Sequence, residues 1–355
     1  MLNYFSALGL LIDYASLSLR NRFFLSNFID CYGVKSCQNF RSNMNLPSFN
    51  NSAMDGYALR VGNSQFLSKG EQFKVVGRIN AGDRFDNNFN FKENHSFEIM
   101  TGAYLPLFFN SVVKLEDICL KNGNIVLNKD VKIWENVKKI GEDYSINDLL
   151  VRNGDSIVFS KIMSLSAVGE SNIAVLKKPK IYLVTTGNEI KTFALTNNSF
   201  FIYDSISNFV MIFLKNYGLD VIYLGVTSDS IYSVYDLLKD VLKSDELSIV
   251  ITTGAVSKGK ADFLPDYLKS INSNIIFHGV NIKPGKPILF SLLTKSVYFF
   301  CLPGNPIASV VGMRFFVYPF IRAIMGFNLE KPVRAKLVNK ILFCNNFSLF
   351  LKSFL

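Results

Sequence analysis

The chain has 355 residues, of which 49% are hydrophobic and 19% charged, and its 38 Lys+Arg against 28 Asp+Glu give a net charge of +10. That length holds two or three ordinary domains, and the composition is too apolar for a disordered chain. No uninterrupted apolar run reaches the ~18 residues of a membrane helix and no basic segment precedes the apolar N-terminus, so neither a membrane nor a secreted protein is expected.

Five scattered cysteines, none in Cys-x-x-Cys spacing, point to a reducing cytoplasm rather than to disulfides or structural zinc. With two histidines, His95 and His278, a His-based metal site or a Ser/His/Asp hydrolase is disfavoured. The positive charge is spread without a dense basic run, so no nucleic-acid partner is expected; a small anionic ligand suits it better.

In chain order, residues 5–30 and about 144–175 read as helical. Between them, about 51–135 shows short strands broken by turn signals such as Gly82-Asp83 and Asn122-Gly123. That order predicts a β-rich module inserted into a helical one. From about 178 to 326, short β-branched strands alternate with amphipathic helices. Lys180–Thr186 (KIYLVTT) is a buried strand, and Asp204 or Ser205 caps a helix running through Asn216. Asp220–Val226, Leu247–Thr252, Pro287–Leu292 and Ser296–Cys301 are further strands. Helices are expected from about Ser230 to Lys243, from about Asp262, and from Ile307 to Met325 with a kink at Pro319. This alternation predicts an α/β multidomain protein with a doubly wound, mostly parallel sheet.

Open sheets of this kind bind ligands at the carboxyl ends of their strands. Thr252-Thr253-Gly254-Ala255-Val256-Ser257-Lys258-Gly259 follows the third strand and is equally readable as a phosphate cradle or a tight connection. Asp229 and Asp262 are acids at two strand ends, suited to Mg²⁺ beside phosphates, although helix capping explains either alone. Lys283-Pro284-Gly285-Lys286-Pro287 holds two lysines on a rigid turn and points to an anion more than to a plain surface loop. Leu302-Pro303-Gly304-Asn305-Pro306 starts a helix from a strand and shapes a pocket floor or redirects the chain.

Eight segments occur together in one order. Residues 47–58 (PSFNNSAMDGYA), 99–103 (IMTGA), 141–143 (GED), 186–189 (TGNE), 202–205 (IYDS), 253–262 (TGAVSKGKAD), 283–287 (KPGKP) and 302–306 (LPGNP) resemble the signatures of the molybdopterin molybdenumtransferases, the MoeA and gephyrin E-domain family. The resemblance covers the chain up to Gly326. It implies a MogA-like α/β domain at 178–326, a helical or linker domain at 1–50 and 141–177, an inserted β-rich domain at 51–140, and a remnant of a C-terminal β-barrel at 327–355. It further implies insertion of molybdenum from molybdate into adenylylated molybdopterin with release of AMP, Mg²⁺ as metal, and a homodimer in which the β-rich domain completes the partner's site. A molybdopterin-adenylylating enzyme is an implied partner.

Carried over residue by residue, the resemblance assigns catalysis to Asp55, Thr101, Asp143, Glu189, Lys283 and Lys286. It assigns substrate binding to Thr186, Gly187, Asp204, Ser205, Thr253, Gly254, Ser257, Gly259, Pro303, Gly304, Asn305 and Pro306, and the metal to Asp229 and Asp262.

Several positions depart from the family pattern. Asn50 and Asn188 replace acids, Ile206 an asparagine, Ala255 a glycine, Glu98 an arginine, and Gly279 a frequent lysine. After Gly326 about 25 residues stand where the family has a barrel, too few to close one. These changes frame an alternative, a weakened relative that binds molybdopterin or serves as a scaffold.

Overall fold

A computed structural model describes residues 1–18, 23–85, 89–191, 201–256, 263–333, 336 and 348–349. The chain divides into two compact units, one of Met1–Cys37, Gly154–Ile157 and Ala174–Leu355, the other of Gln38–Asn153 and Val158–Ile173.

The chain begins with α1 (Tyr4–Ser18) in the first unit. The second unit is built on six strands: β1 (Gly56–Leu59), β2 (Gln72–Ile79), β3 (His95–Ile99), β4 (Ser111–Lys114), β5 (Ile118–Lys121) and β6 (Asn124–Leu127). Their spatial order is β4-β1-β3-β2-β6-β5, with β2 and β3 parallel and the other pairs antiparallel. Both faces carry apolar clusters, Tyr57, Leu59 and Val113 on one and Ala58, Ile99 and Val112 on the other, so β1 is buried along its whole length. The unit also holds α2 (Phe159–Ala167), after which Gly169 turns at φ +75°.

Helix is scarcer than the sequence suggests in the two flanking stretches. Phe23–Asn27 is a strand, and within 144–175 α2 is the helix among a strand at Leu149–Val151 and another beginning at Asn172. The apolar residues there have no sustained helical period, and Gly154 and Gly169, both at positive φ, interrupt it.

The first unit carries β7 (Lys180–Thr186), α3 (Ser205–Lys215), β8 (Val221–Thr227), α4 (Ile231–Lys243), β9 (Ser248–Thr253), α5 (Leu264–Ser270), β10 (Asn274–His278), β11 (Leu289–Leu292), β12 (Val297–Leu302), α6 (Pro306–Gly312) and α7 (Tyr318–Ile324). The order is β8-β7-β9-β12-β11-β10, with the first four strands parallel and the last two antiparallel. Strands β9 and β12 are buried at every residue, as expected of parallel strands covered on both faces. One face packs Val250, Phe299 and Cys301 against Val234, Leu238 and Tyr267 of α4 and α5. On the other, Phe320 of α7 lies 5.1 Å from Phe290 and 5.4 Å from Phe300, ring to ring, and Tyr14 of α1 meets Phe290 edge-on at 6.0 Å.

A π-helical turn, Met313–Val317, joins α6 to α7 just before Pro319. Proline lacks the N–H that would bond one turn back, and the wider turn absorbs that loss without ending the helix. Taken as one helix, Pro306–Ile324 has the length and apolar character of a membrane span, contrary to the run lengths expected from sequence. Met313, Phe316, Val317, Phe320 and Ile324 are nevertheless buried in this unit, where they form its core.

The tail returns to its own chain: Ser348–Leu349 pairs in parallel with Ile282–Lys283, and the Ser348 N–H donates to the Asn281 carbonyl at 3.0 Å.

Candidate functional site

The sheet of the first unit changes direction at β7, since the chain goes from β7 outward to β8 and then returns to β9 on the other side. Such a switch point leaves a crevice at the strands' carboxyl ends. A cavity of about 420 Å³ lies there, lined by Thr186, Gly187, Glu189, Asp204, Ser205, Asp229, Thr253, Gly254, Gly304 and Pro306, all expected from the sequence, and by Thr185, Ile206 and Ala255 among others.

Its floor is made by close approach of backbone. The Gly254 N–H donates to Leu302 O at 2.9 Å, and Thr186 Oγ1 donates to Thr253 O at 3.1 Å, so the ends of β7, β9 and β12 are joined across the sheet. Gly254 (φ +98°) could not carry a Cβ, which would stand 2.7 Å from Thr186 O. Ala255 follows at φ +50°, a conformation that favours glycine. Thr253 Oγ1 is buried and, among the described residues, has no hydrogen-bond partner.

Asp204 holds the start of α3. Its Oδ1 accepts the Ser207 N–H at 3.0 Å, while Oδ2 accepts the hydroxyls of Thr185 and Tyr223, each at 2.7 Å. Burial pushes its carboxyl up, but the bonds from Ser207, Thr185 and Tyr223 together outweigh this and hold it below the ordinary aspartate value. Asp204 is therefore a committed cap and anchor, with Ser205 and Ile206 left at the cavity. Tyr223 was not foreseen, because only the register of β7 against β8, which pairs Leu183 with Tyr223, brings it to this end of the sheet.

Glu189 is exposed at the rim, and the Asn188 N–H approaches Asp229 Oδ2 at 3.4 Å. Asn305 caps α6 by accepting the Ala308 N–H at 3.1 Å, and Pro306 occupies the first helical position. Pro303 accepts a hydrogen bond from the buried Ser309 hydroxyl, which fixes the turn from β12 to α6. Ser257, Gly259 and Asp262 lie outside the described residues.

Lys283 and Lys286 are exposed on the turn before β11. Because β11 runs antiparallel to β12 with Leu289 beside Cys301, this turn lies at the same end of the sheet as the cavity. Gly285 (φ +102°) packs toward Ala308 of α6, where a Cβ would be 3.5 Å from its carbonyl oxygen.

In the second unit, Asp55 Oδ1 accepts both the N–H of Thr101 at 2.7 Å and its hydroxyl at 2.8 Å. Those bonds hold its carboxyl below the ordinary value. Gly56 delivers Asp55 to this position, since a Cβ on Gly56 would stand 1.9 Å from Val113 O. Asp143 is ion-paired with Lys138 at 2.5 Å. Asn50 Oδ1 accepts the Ile140 N–H at 2.8 Å, an acceptor role that an amide fills as well as an acid.

Residues 16–169 match a family model described as "MoeA N-terminal region (domain I and II)", and residues 182–323 match one described as "Probable molybdopterin binding domain". The chain is 31% identical over 286 residues to a molybdopterin molybdenumtransferase of Haemophilus influenzae, covering 80% of this chain and 69% of that protein. It is 31% identical over 283 residues to one of Synechococcus elongatus, covering 78% and 70%. Two crystal structures of a molybdopterin biosynthesis MoeA protein from Pyrococcus horikoshii superpose with TM-scores of 0.70 and 0.68 at 25% and 22% identity, each over 92% of this chain and 80% of that one.

Proposed function

The chain belongs to the molybdopterin molybdenumtransferase family, and on that footing we propose that it transfers molybdenum from molybdate into adenylylated molybdopterin, releasing AMP. The observation that carries this reading is the cavity at the β7/β9 switch point, where backbone turns, hydroxyls and three carboxylates, Glu189, Asp204 and Asp229, converge. A pterin linked to AMP through a pyrophosphate presents oxygens for N–H and O–H donors. Ala255 and the first residues of α3, Ser205 and Ile206, line the cavity and would supply such donors.

Glu189 and Asp229 line the same cavity, and among the described residues no group of three metal-ligating side chains occurs. This donor set suits Mg²⁺, which keeps its waters and takes one or two carboxylates together with substrate phosphates. Asp229 and Glu189 would hold it, with Asp262 as the further candidate. When bound, Mg²⁺ would neutralise pyrophosphate charge. Lys283 and Lys286, at the same end of the sheet, supply fixed positive charge for phosphate or for the dianionic molybdate substrate. Asp55 and Thr101, held to each other within the second unit, match family positions assigned to the same reaction. A homodimer, a cytoplasmic setting and delivery of substrate by a molybdopterin-adenylylating enzyme belong to the same reading.

The test is to incubate the purified chain with adenylylated molybdopterin, Mg²⁺ and molybdate and to measure AMP release and cofactor formation. AMP release dependent on molybdate supports the reading; tight pterin binding without turnover would favour the scaffold alternative.

A further inference from the structure

Asp204 is gripped by more of the fold than a helix cap needs. Its backbone N–H donates to Lys191 O at 2.9 Å, and the Asn208 side-chain amide donates to its carbonyl at 3.0 Å. Its carboxylate takes the Ser207 N–H of α3, the Thr185 hydroxyl from β7 and the Tyr223 hydroxyl from β8. The last of these comes from the edge of the sheet, where β8 has β7 as its neighbour.

A local irregularity brings Tyr223 there. β8 carries one residue more than β7 between the pairs Leu183–Tyr223 and Val184–Gly225, and Gly225 sits at φ +103°. Such a bulge twists its strand and re-aims the side chains beside it. Tyr223 pairs with Leu183, and Thr185 lies two residues further along β7, so both hydroxyls leave the sheet on one face. They meet on the same oxygen, Asp204 Oδ2, each at 2.7 Å. The consequence falls on the first turn of α3. Just before Ser207 stand Ser205 and Ile206, which line the cavity. The first N–H groups of a helix have no partner one turn back. Among the described residues, neither Ser205 nor Ile206 donates its N–H within the protein.

We infer that Tyr223 is a positioning residue: by donating to Asp204 Oδ2 it ties the edge strand β8 to α3 and fixes the first turn, with Ser205 and Ile206, against the cavity where the phosphate-bearing substrate binds. Tyrosine suits the task because a rigid ring carries its donor far from the backbone on two side-chain torsions. The role in substrate binding rests on the molybdenum-insertion reading, whereas the hold on Asp204 does not.

Hydrogen exchange of the full chain, followed by NMR at the Ser207 amide, tests the hold with no ligand present. Tyr223→Phe keeps the ring and removes the hydroxyl, and should quicken exchange of that amide about fivefold. Ile249→Val removes a buried methylene at the end of β9 away from the cavity, and should leave the amide within about twofold. An unmoved Ser207 amide in Tyr223→Phe, or an equal change in Ile249→Val, overturns the inference whether or not the wild type is active. Where the wild type releases AMP, Tyr223→Phe should raise KM for adenylylated molybdopterin about fivefold with kcat within about twofold, and Ile249→Val should change neither. An unchanged KM also overturns the inference, as does a rise of similar size that Tyr223→Phe still causes in an Asp204→Ala background. An inactive wild type with a quickened Ser207 amide in Tyr223→Phe would instead sink the functional reading alone.

Discussion

Gly254 lies so close to Thr186 that a Cβ at position 254 would stand 2.7 Å from both the carbonyl oxygen and the hydroxyl of Thr186. The contact joins the ends of β7 and β9, the two strands whose separation makes the crevice. Gly254→Ala should force these strand ends apart and, because φ is +98°, strain the backbone as well. We expect a loss of about 2 kcal/mol in denaturant unfolding and at least about tenfold weaker binding of adenylylated molybdopterin. Wild-type affinity in this variant would show that the β7–β9 junction does not shape the site.

The neighbouring residue offers the opposite experiment. Ala255 sits at φ +50°, where a Cβ is strained, and it occupies a position at which the family pattern has glycine. Ala255→Gly relieves the strain but adds freedom to the unfolded chain, so the two effects partly cancel. A net gain of about 0.5 kcal/mol in urea unfolding is expected, with no loss of AMP release. A destabilised Ala255→Gly would mean that the methyl group, rather than the backbone, sets the balance here.

The first unit was the more legible of the two because its strands are continuous apolar runs ended by glycine or acid. Lys180–Thr186 has the expected bounds, and of the two expected caps of α3, Asp204 and Ser205, it is Asp204 that serves. What lay hidden was register. Nothing local in the sequence places Tyr223 on Asp204, or Arg78 beside Glu98, because both follow from which strands pair and with what offset. The arginine that the family pattern has at position 98 is absent, yet a guanidinium stands one strand away. The helical reading of 144–175 failed where Gly154 and Gly169 override a weak apolar pattern.

Asp204 should make stability depend on acid pH. Its carboxyl titrates lower in the folded chain than in the unfolded one, owing to the bonds from Ser207, Thr185 and Tyr223 that outweigh its burial. Its contribution is therefore complete above the unfolded value of about 3.9 and is lost as pH falls through the folded value. Asp204→Asn should cost about 1–2 kcal/mol at pH 7, and the gap from wild type should narrow below about pH 4. Urea titrations of both proteins across pH 3 to 7 provide the measurement (the range follows from the ordinary aspartate value). A gap independent of pH would remove the carboxylate's charge from the account.

Lys286 tests whether the charge of the rigid turn serves the cavity. It is exposed, so its replacement should leave folding unchanged, while its place at the carboxyl end of the parallel strands puts its charge where an anionic substrate arrives. Lys286→Ala should raise KM for adenylylated molybdopterin about five- to tenfold with kcat within about twofold, the pattern of lost uniform binding. The difference should shrink as ionic strength rises, because the charge acts partly through solvent and salt screens it over a Debye length of about 8–10 Å near physiological conditions. Lys269→Ala on α5, where the lysine pairs with Asp266 at 3.1 Å, is the control and should leave KM unchanged. Equal effects from the two variants would reduce the lysine turn to general surface charge, and a KM change insensitive to salt would point to a direct contact in place of a field.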